Sequence, residues 1–185
     1  MLVDVTLQVT PQMRQNAPEK DNRALVGHLG THFDVMDKEF PLAYTRRDGI
    51  VFDVSAVRGR CIEVEDICLD RVQQDQFVAF YTGYIECEPY GTAVYFSQHP
   101  QLSYDLIDAL LDKGVSIIGV DCSGIRRGKE HTPVDQRCAD RGVFVVENLC
   151  GLQTLVEAGG TFVAHTYPVR YSGMSGLPCR VIAEV

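Results

Sequence analysis

The sequence predicts an α+β protein built on a mixed sheet with few helices. Apolar runs of strand length recur along the chain, as at Phe77–Gly83 and Val143–Val146. One segment, Ser103–Lys113, carries clear helical periodicity with signals at both ends. The order of these segments is not the regular strand–helix alternation of a doubly wound sheet, so a mixed or largely antiparallel sheet with helix packed on one side is expected. At 185 residues, one domain spanning 1–185 is the default, with enough chain for a sizeable core.

Val3–Val9 alternates apolar and polar residues, the mark of a half-buried strand. Residues 10–24 are polar, with Pro11, Pro18 and a charged cluster from Glu19 to Arg23, and read as a mobile loop. Pro41 should keep Phe40 out of helix. Gly49–Val57 reads as a strand that buries Val51, Phe52 and Val54, and Cys61–Leu69 as a short turn of helix. Phe77–Gly83 is apolar throughout and ends at glycine, as a central strand does. In Ser103–Lys113, Ser103 can cap the helix and Leu106, Ile107, Leu110 and Leu111 share one face. Lys113 suits the dipole and Gly114 ends the helix. Val115–Val120 is a buried strand closed by Asp121, and residues 124–132 read as a surface loop. Asp135–Asp140 is a short helix ended by Gly142, and Val143–Val146 is a strand that delivers Glu147. Phe162–Val169 and Arg180–Val185 are two final strands.

A net charge of −8 argues against a nucleic-acid surface, which needs a basic face. No apolar run approaches the roughly 20 residues of a membrane span, and no signal-peptide pattern opens the chain. The seven cysteines are odd in number and contain no C-x-x-C, which argues against a disulfide framework and a zinc knuckle and suits a cytoplasmic protein.

The chemistry concentrates in Gly27-His28-Leu29-Gly30-Thr31-His32-Phe33-Asp34. Two imidazoles and a carboxylate in so short a run are the nitrogen and oxygen donors a borderline divalent metal prefers. The glycines disfavour a long helix and let three side chains converge, and Asp34 can use both oxygens to bridge to a second ion. The plainer alternative is two histidines hydrogen-bonded in a polar loop. Glu147 and Asp121 each end a strand, and Ser123 follows the latter. His131 and Asp135 lie four apart, as His28 and His32 do, and offer a second nitrogen–oxygen pair. Lys38 is a cation near the expected cluster, whereas His99 and His165 read as structural.

The run His28-Leu29-Gly30-Thr31-His32-Phe33-Asp34-Val35-Met36-Asp37-Lys38 resembles the signature H-x-G-T-H-x-D-x-P-x-H of the cyclase-like metal hydrolases, which include bacterial-type kynurenine formamidases and isatin hydrolases. Tyr81-Thr82-Gly83-Tyr84, Tyr95-Phe96 with His99-Pro100, Gly119-Val120-Asp121, Val146-Glu147-Asn148-Leu149 and the segment from Gly176 to Ala183 fall where that family has similar segments. The resemblance therefore covers nearly the whole chain, and it implies the swivelling β/β/α fold.

By that resemblance, His28, His32 and Asp34 match the first metal ligands and Glu147 a ligand of a second ion. The family's histidine twelve residues before this Glu is Asp135 here, with His131 one helical turn earlier. The signature's last histidine, assigned to proton transfer, is Lys38, and its proline is Met36. Lys38 becomes the candidate catalytic residue. It can accept a proton if a nearby dication depresses its pKa, stabilise an oxyanion if it stays charged, or stand in for a second cation. One metal site, zinc or manganese, is expected, with a second bound weakly or not at all. On that view Lys38→His raises the metal content. Asp121, Ser123 and His131 are the expected substrate contacts.

The implied activity is arylformamidase-like hydrolysis of an amide or cyclic amide by metal-activated water, with N-formylkynurenine, and so tryptophan catabolism, as the best-known case. The alternative is a catalytically silent member that binds a small ligand. No organic cofactor is implied. A homodimer or homotetramer is expected, with residues 10–24 reaching a neighbour's site.

Overall fold

The computed structural model describes residues 1–10, Met13 and 27–185. Among the described residues, eight strands form one sheet. They are β1 (Leu2–Asp4), β2 (His32–Asp34), β3 (Arg46–Asp53), β4 (Phe77–Tyr81), β5 (Ile117–Val120), β6 (Phe144–Glu147), β7 (Thr161–Pro168) and β8 (Gly176–Glu184). Among the described residues there are five α-helices: α1 (Tyr84–Cys87), α2 (Ala93–Gln98), α3 (Tyr104–Lys113), α4 (His131–Asp140) and α5 (Leu152–Glu157). The strand order is β1-β8-β2-β6-β5-β4-β3-β7, and β7 also pairs with β8, so seven strands close into a barrel. β1 lies outside that ring, beside the far half of β8. Neighbours β3, β4, β5 and β6 run parallel, whereas β2 and β7 are antiparallel to theirs. This is the mixed α+β sheet with few helices that the sequence predicts.

Period-two alternation sorts the side chains into two layers. Phe33, Val51, Phe77, Ala79, Ile117, Phe144, Val146, Phe162, Ala164, Leu177 and Val181 form one cluster with contributions from all seven ring strands, which makes it the barrel interior. Val78, Phe80, Ile118, Val120 and Val145 point the other way and pack with α3 and α4. α3 matches its prediction. Ser103 Oγ accepts from Leu106 N at 3.1 Å, Gly114 caps the end at φ +69°, and the four predicted apolar residues are buried.

Several boundaries differ from the sequence reading. Strand Val3–Val9 shrinks to β1 plus a bridge from Thr6 to Leu149, because side chains take over the ladder bonds. Thr6 Oγ1 accepts from Val181 N, and Leu7 N donates to Thr31 Oγ1. β3 begins at Arg46 and stops at Asp53. Residues 61–69 hold a 3-10 turn at Val64–Asp66 rather than α-helix, and a second begins at Leu69. The expected loop 124–132 contains a 3-10 turn and the start of α4, four residues ahead of the predicted helix. Pro133 falls in the first turn of α4, where a missing N–H costs nothing. β8 begins at Gly176 because pairing with β2 overrides the Gly and Pro signals there. Residues 11, 12 and 14–24 of the predicted mobile loop lie outside the described residues. All seven cysteines are unpaired, and no described helix is long and apolar enough to cross a membrane.

Gly119 faces the interior, where a Cβ would lie 2.4 Å from the Phe77 ring and 2.8 Å from Leu149. Gly119→Ala is therefore expected to destabilise the fold by about 1–3 kcal/mol through overpacking. The check is the urea midpoint, with the slope unchanged.

Candidate metal centre

β2 is three residues long, and Phe33 at its centre points into the barrel. His32 and Asp34 must then face outward. His32 is registered directly opposite Glu147, the last residue of β6, whose neighbour Val146 also points inward. One stretch of antiparallel pairing thus places an imidazole and two carboxylates on one face. His28 reaches the same point from the preceding turn, where Gly27 (φ +85°) approaches the backbone of Gly176 so closely that a Cβ would lie 1.9 Å from its carbonyl oxygen. α4 lies against β6 and contributes His131 and Asp135, one turn apart.

The donors form two groups that share Asp34: His28, His32 and Asp34, and Asp34, His131 and Asp135, with the ligand atoms within 4.8 Å of one another in each. His28 Nδ1 lies 3.0 Å from Asp34 Oδ1 and 3.0 Å from His32 Nε2. Glu147 spans the two groups, with Oε2 3.6 Å from His32 Nε2 and Oε1 3.5 Å from His131 Nε2. His131 Nε2 lies 3.3 Å from Asp135 Oδ2.

The backbone sets the direction of the lone pairs. His32 Nδ1 donates to Gly30 O at 2.8 Å and His131 Nδ1 to Arg126 O at 3.1 Å. A carbonyl can only accept, so in the neutral imidazole each Nε2 carries a lone pair aimed into the cluster. His28 Nε2 meets Ser175 Oγ at 2.9 Å, a hydroxyl able to accept its proton and leave Nδ1 free to bind.

These residues fit a divalent cation. Asp34 and Asp135 are buried, and no aligned hydrogen-bond donor among the described residues reaches any of their four carboxylate oxygens. A buried carboxylate in that condition is costly unless a cation meets it. Burial raises the Asp135 carboxyl well above its ordinary range, and the charge of Asp34 adds to the rise. Burial acts on Asp34 too, but His32 and His28 outweigh it and hold this carboxyl below the usual range. The two carboxylates thus oppose each other's ionisation, and a bound cation would relieve that opposition. Three imidazoles with carboxylates suit a borderline divalent metal.

The cluster floors a cavity of about 310 Å³, walled also by Met36, Phe96, Ser123, Thr132, Asn148 and Ser175. A larger cavity of about 590 Å³, lined by Arg58, Arg60 and Arg127 beside His99, holds none of these donors.

The structure thus brings together His28, His32, Asp34, Glu147, Asp135 and His131. His131 stands among the candidate metal donors rather than only among substrate contacts, and Ser123 is a wall residue. Lys38 and Asp121 are not in the cluster. The Lys38 ammonium sits on the surface, 2.8 Å from Asp140 and 3.1 Å from Asp37, and hydrogen bonds to these acids raise its pKa. That is the opposite of what a proton acceptor requires, and it leaves no positive charge beside Asp34 and Glu147 to replace a second cation. His131 and Asp135 supply the second group instead. Asp121 is buried and accepts from Thr82 N, Gly83 N and Thr82 Oγ1, tying the end of β5 to the turn after β4. Sequence reasoning passed over Met36, Phe96, Thr132 and Ser175 as wall residues. Of these, Thr132, next to His131, had a signal within reach.

The sequence profile of the Cyclase family, described as "Putative cyclase", matches residues 3–126. The chain belongs to that family. Among solved structures, a potential metal-dependent hydrolase with cyclase activity is 23% identical with a TM-score of 0.74, and the match covers 99% of this chain and 98% of that one. A predicted metal-dependent hydrolase from Bacillus stearothermophilus is 22% identical with a TM-score of 0.74, over 99% of this chain and 97% of that one. An isatin hydrolase bound to the product analogue thioisatinate is 18% identical with a TM-score of 0.74, covering 100% of this chain and 92% of that one. No curated protein sequence matches the chain.

Lys38→His is expected to leave the metal content per chain unchanged, because position 38 points at Asp37 and Asp140; elemental analysis reads this. A second expectation concerns Asp121. Burial, the largest influence on its carboxyl, pushes the pKa up to about 6 despite the opposing hydrogen bonds of Thr82 and Gly83. Its folded pKa exceeds its unfolded one, so its contribution is full below about 4 and is lost as pH rises to about 6, on the order of 3 kcal/mol in all. Urea unfolding from pH 4 to 7 should show that slope in the native protein and lose it in Asp121→Asn.

Proposed function

We propose that this chain is a metal-dependent hydrolase of an amide or cyclic amide, with zinc or manganese as the ion. The observation that carries the reading is the pair of donor groups sharing Asp34, with buried aspartate oxygens that no aligned donor among the described residues satisfies. His28, His32 and Asp34 would hold the first ion, and His131 and Asp135 with Asp34 a second. When bound, such an ion supplies Lewis acidity to a carbonyl oxygen and lowers the pKa of water towards about 7.

The chain's own residues do the rest. With only the first ion bound, His131 Nε2, its lone pair fixed towards the cavity by the Arg126 carbonyl, can take the proton of an attacking water. Asp135 Oδ2, 3.3 Å from the same nitrogen, can accept a hydrogen bond from the imidazolium that forms. Ser123, Thr132 and Ser175 offer hydroxyls to a substrate carbonyl or amide nitrogen, while Phe96 and Met36 give an apolar wall that suits an aryl ring. Family membership and the isatin hydrolase likeness favour lactams of the isatin type and aryl formamides such as N-formylkynurenine as the first substrates to test.

Metal content after purification without chelator, and after loading with zinc or manganese, tests the centre. One or two equivalents per chain are expected, reduced in His32→Ala. Loaded enzyme should open isatin or deformylate N-formylkynurenine, followed by absorbance. His131→Gln should slow turnover about a hundredfold or more while the first group keeps its ion. A native chain that takes up no metal overturns the proposal. Metal uptake with no turnover of any formamide or lactam makes the chain a small-ligand-binding member.

A further inference from the structure

Asn148 follows Glu147 at the end of β6 and belongs to neither donor group. It is buried, and its backbone is left-handed at φ +58°, a conformation asparagine tolerates better than most residues. Both ends of its side chain are engaged. Oδ1 accepts from the Tyr95 hydroxyl at 2.8 Å, and Nδ2 donates to Gly30 O at 2.9 Å. Its backbone carbonyl accepts from Thr31 Oγ1 at 2.8 Å. The Gly30 carbonyl is the same atom that takes the Nδ1 proton of His32 at 2.8 Å. A carbonyl oxygen has two lone pairs, so both donors can be served at once.

Gly30 sits at φ +73° and has no side chain to hold its peptide planes. Two partners hold them instead. Its N–H donates to the Tyr90 hydroxyl at 2.8 Å, and its carbonyl is held by Asn148. The two tyrosines pack edge to face, with ring centroids 5.3 Å apart, and Tyr95 is wholly buried. The clamp on the glycine therefore rests on a rigid aromatic pair.

We propose that Asn148, oriented by Tyr95, is a positioning residue that aims the Gly30 carbonyl and thereby holds His32 in the tautomer that presents the Nε2 lone pair to a metal ion. Its consequence for metal affinity rests on the metal-centre reading above, whereas the tautomer is a property of the metal-free protein. Asparagine is needed because one short side chain must accept from Tyr95 and donate to Gly30. Aspartate keeps the acceptor, loses the donor and sets a second acceptor against the carbonyl.

The test uses the native protein, Asn148→Asp and Tyr95→Phe, each checked for folding by urea unfolding. Long-range proton–nitrogen correlation spectra of metal-free protein read the His32 tautomer, and competition with a chromophoric chelator reads zinc affinity. The native ring should show a single Nδ1–H form. Asn148→Asp should mix the tautomers and weaken zinc binding about 10- to 100-fold. Tyr95→Phe, which keeps the ring packing, should move both readouts the same way by a smaller factor. An unchanged tautomer or unchanged zinc affinity in folded Asn148→Asp overturns the proposal. If that variant does not fold, the same result in Tyr95→Phe overturns it. A native chain that binds no zinc, yet loses the Nδ1–H form in these variants, defeats the metal reading and leaves the positioning role standing.

Discussion

The antiparallel register of β2 against β6 governs the arrangement of the centre. His32 faces Glu147 only because Phe33 faces Val146. A slip of one residue would turn His32 and Asp34 into an apolar barrel and expel Phe33. With three residues, β2 makes too few ladder bonds to specify its own register, so side-chain packing must do so. Phe33 packs on Phe40 with centroids 4.6 Å apart, and Phe40 in turn meets Phe144 at 5.7 Å. β8 pairs with the other edge of β2 through Gly176, Leu177 and Pro178. An apolar contact inside the barrel thus positions the polar donors outside it.

The second group of donors depends on a different element. α4 buries Val134, Cys138 and Ala139, and that anchoring leaves Asp135 facing Asp34. Two buried carboxylates from separate elements cannot both ionise there without a cation. One carboxyl is held low and its neighbour pushed high, in line with that constraint. Cation binding would relieve that repulsion and join β2 to α4, so occupancy of the centre and docking of the helix are thermodynamically linked.

Much of this could be read from the chain because it is encoded locally. The run from His28 to Asp34 places three donors within one turn and one short strand, and strand periodicity aimed Glu147 correctly at a strand end. α3 had both of its caps and a clear apolar face. Short helices such as α1, α2 and α5 are below the length at which periodicity speaks, and tertiary contacts form them. Lys38 misled for a physical reason. Four residues past Asp34 is close in sequence, but the chain leaves the strand at Val35, and Met36 takes a left-handed conformation at φ +57° that turns Asp37 and Lys38 towards the surface. Asp121 misled differently, since a carboxylate at a strand end can serve a turn as readily as a ligand. The donors of Thr82 and Gly83 that claim it lie some 40 residues away in sequence, beyond any local pattern.

The parallel segment of the barrel explains why the cavity opens where it does. β4, β5 and β6 run side by side in one direction, and beyond their carboxyl ends lie Thr82, Asp121 and Asn148. In parallel sheets that edge is where chains diverge and leave space for a ligand. Here the three strand ends are used differently. The turn after β4 is fastened to Asp121 at the end of β5, which makes a rigid rim. The chain beyond β5 brings Ser123 to the cavity wall. β6 alone carries a donor, Glu147, and continues directly into Asn148. The interior could not host such a centre, since a glycine is needed at position 119 merely to admit the Phe77 ring. The outer face, between a closed barrel and a short helix, leaves room for buried charge while the barrel core stays apolar.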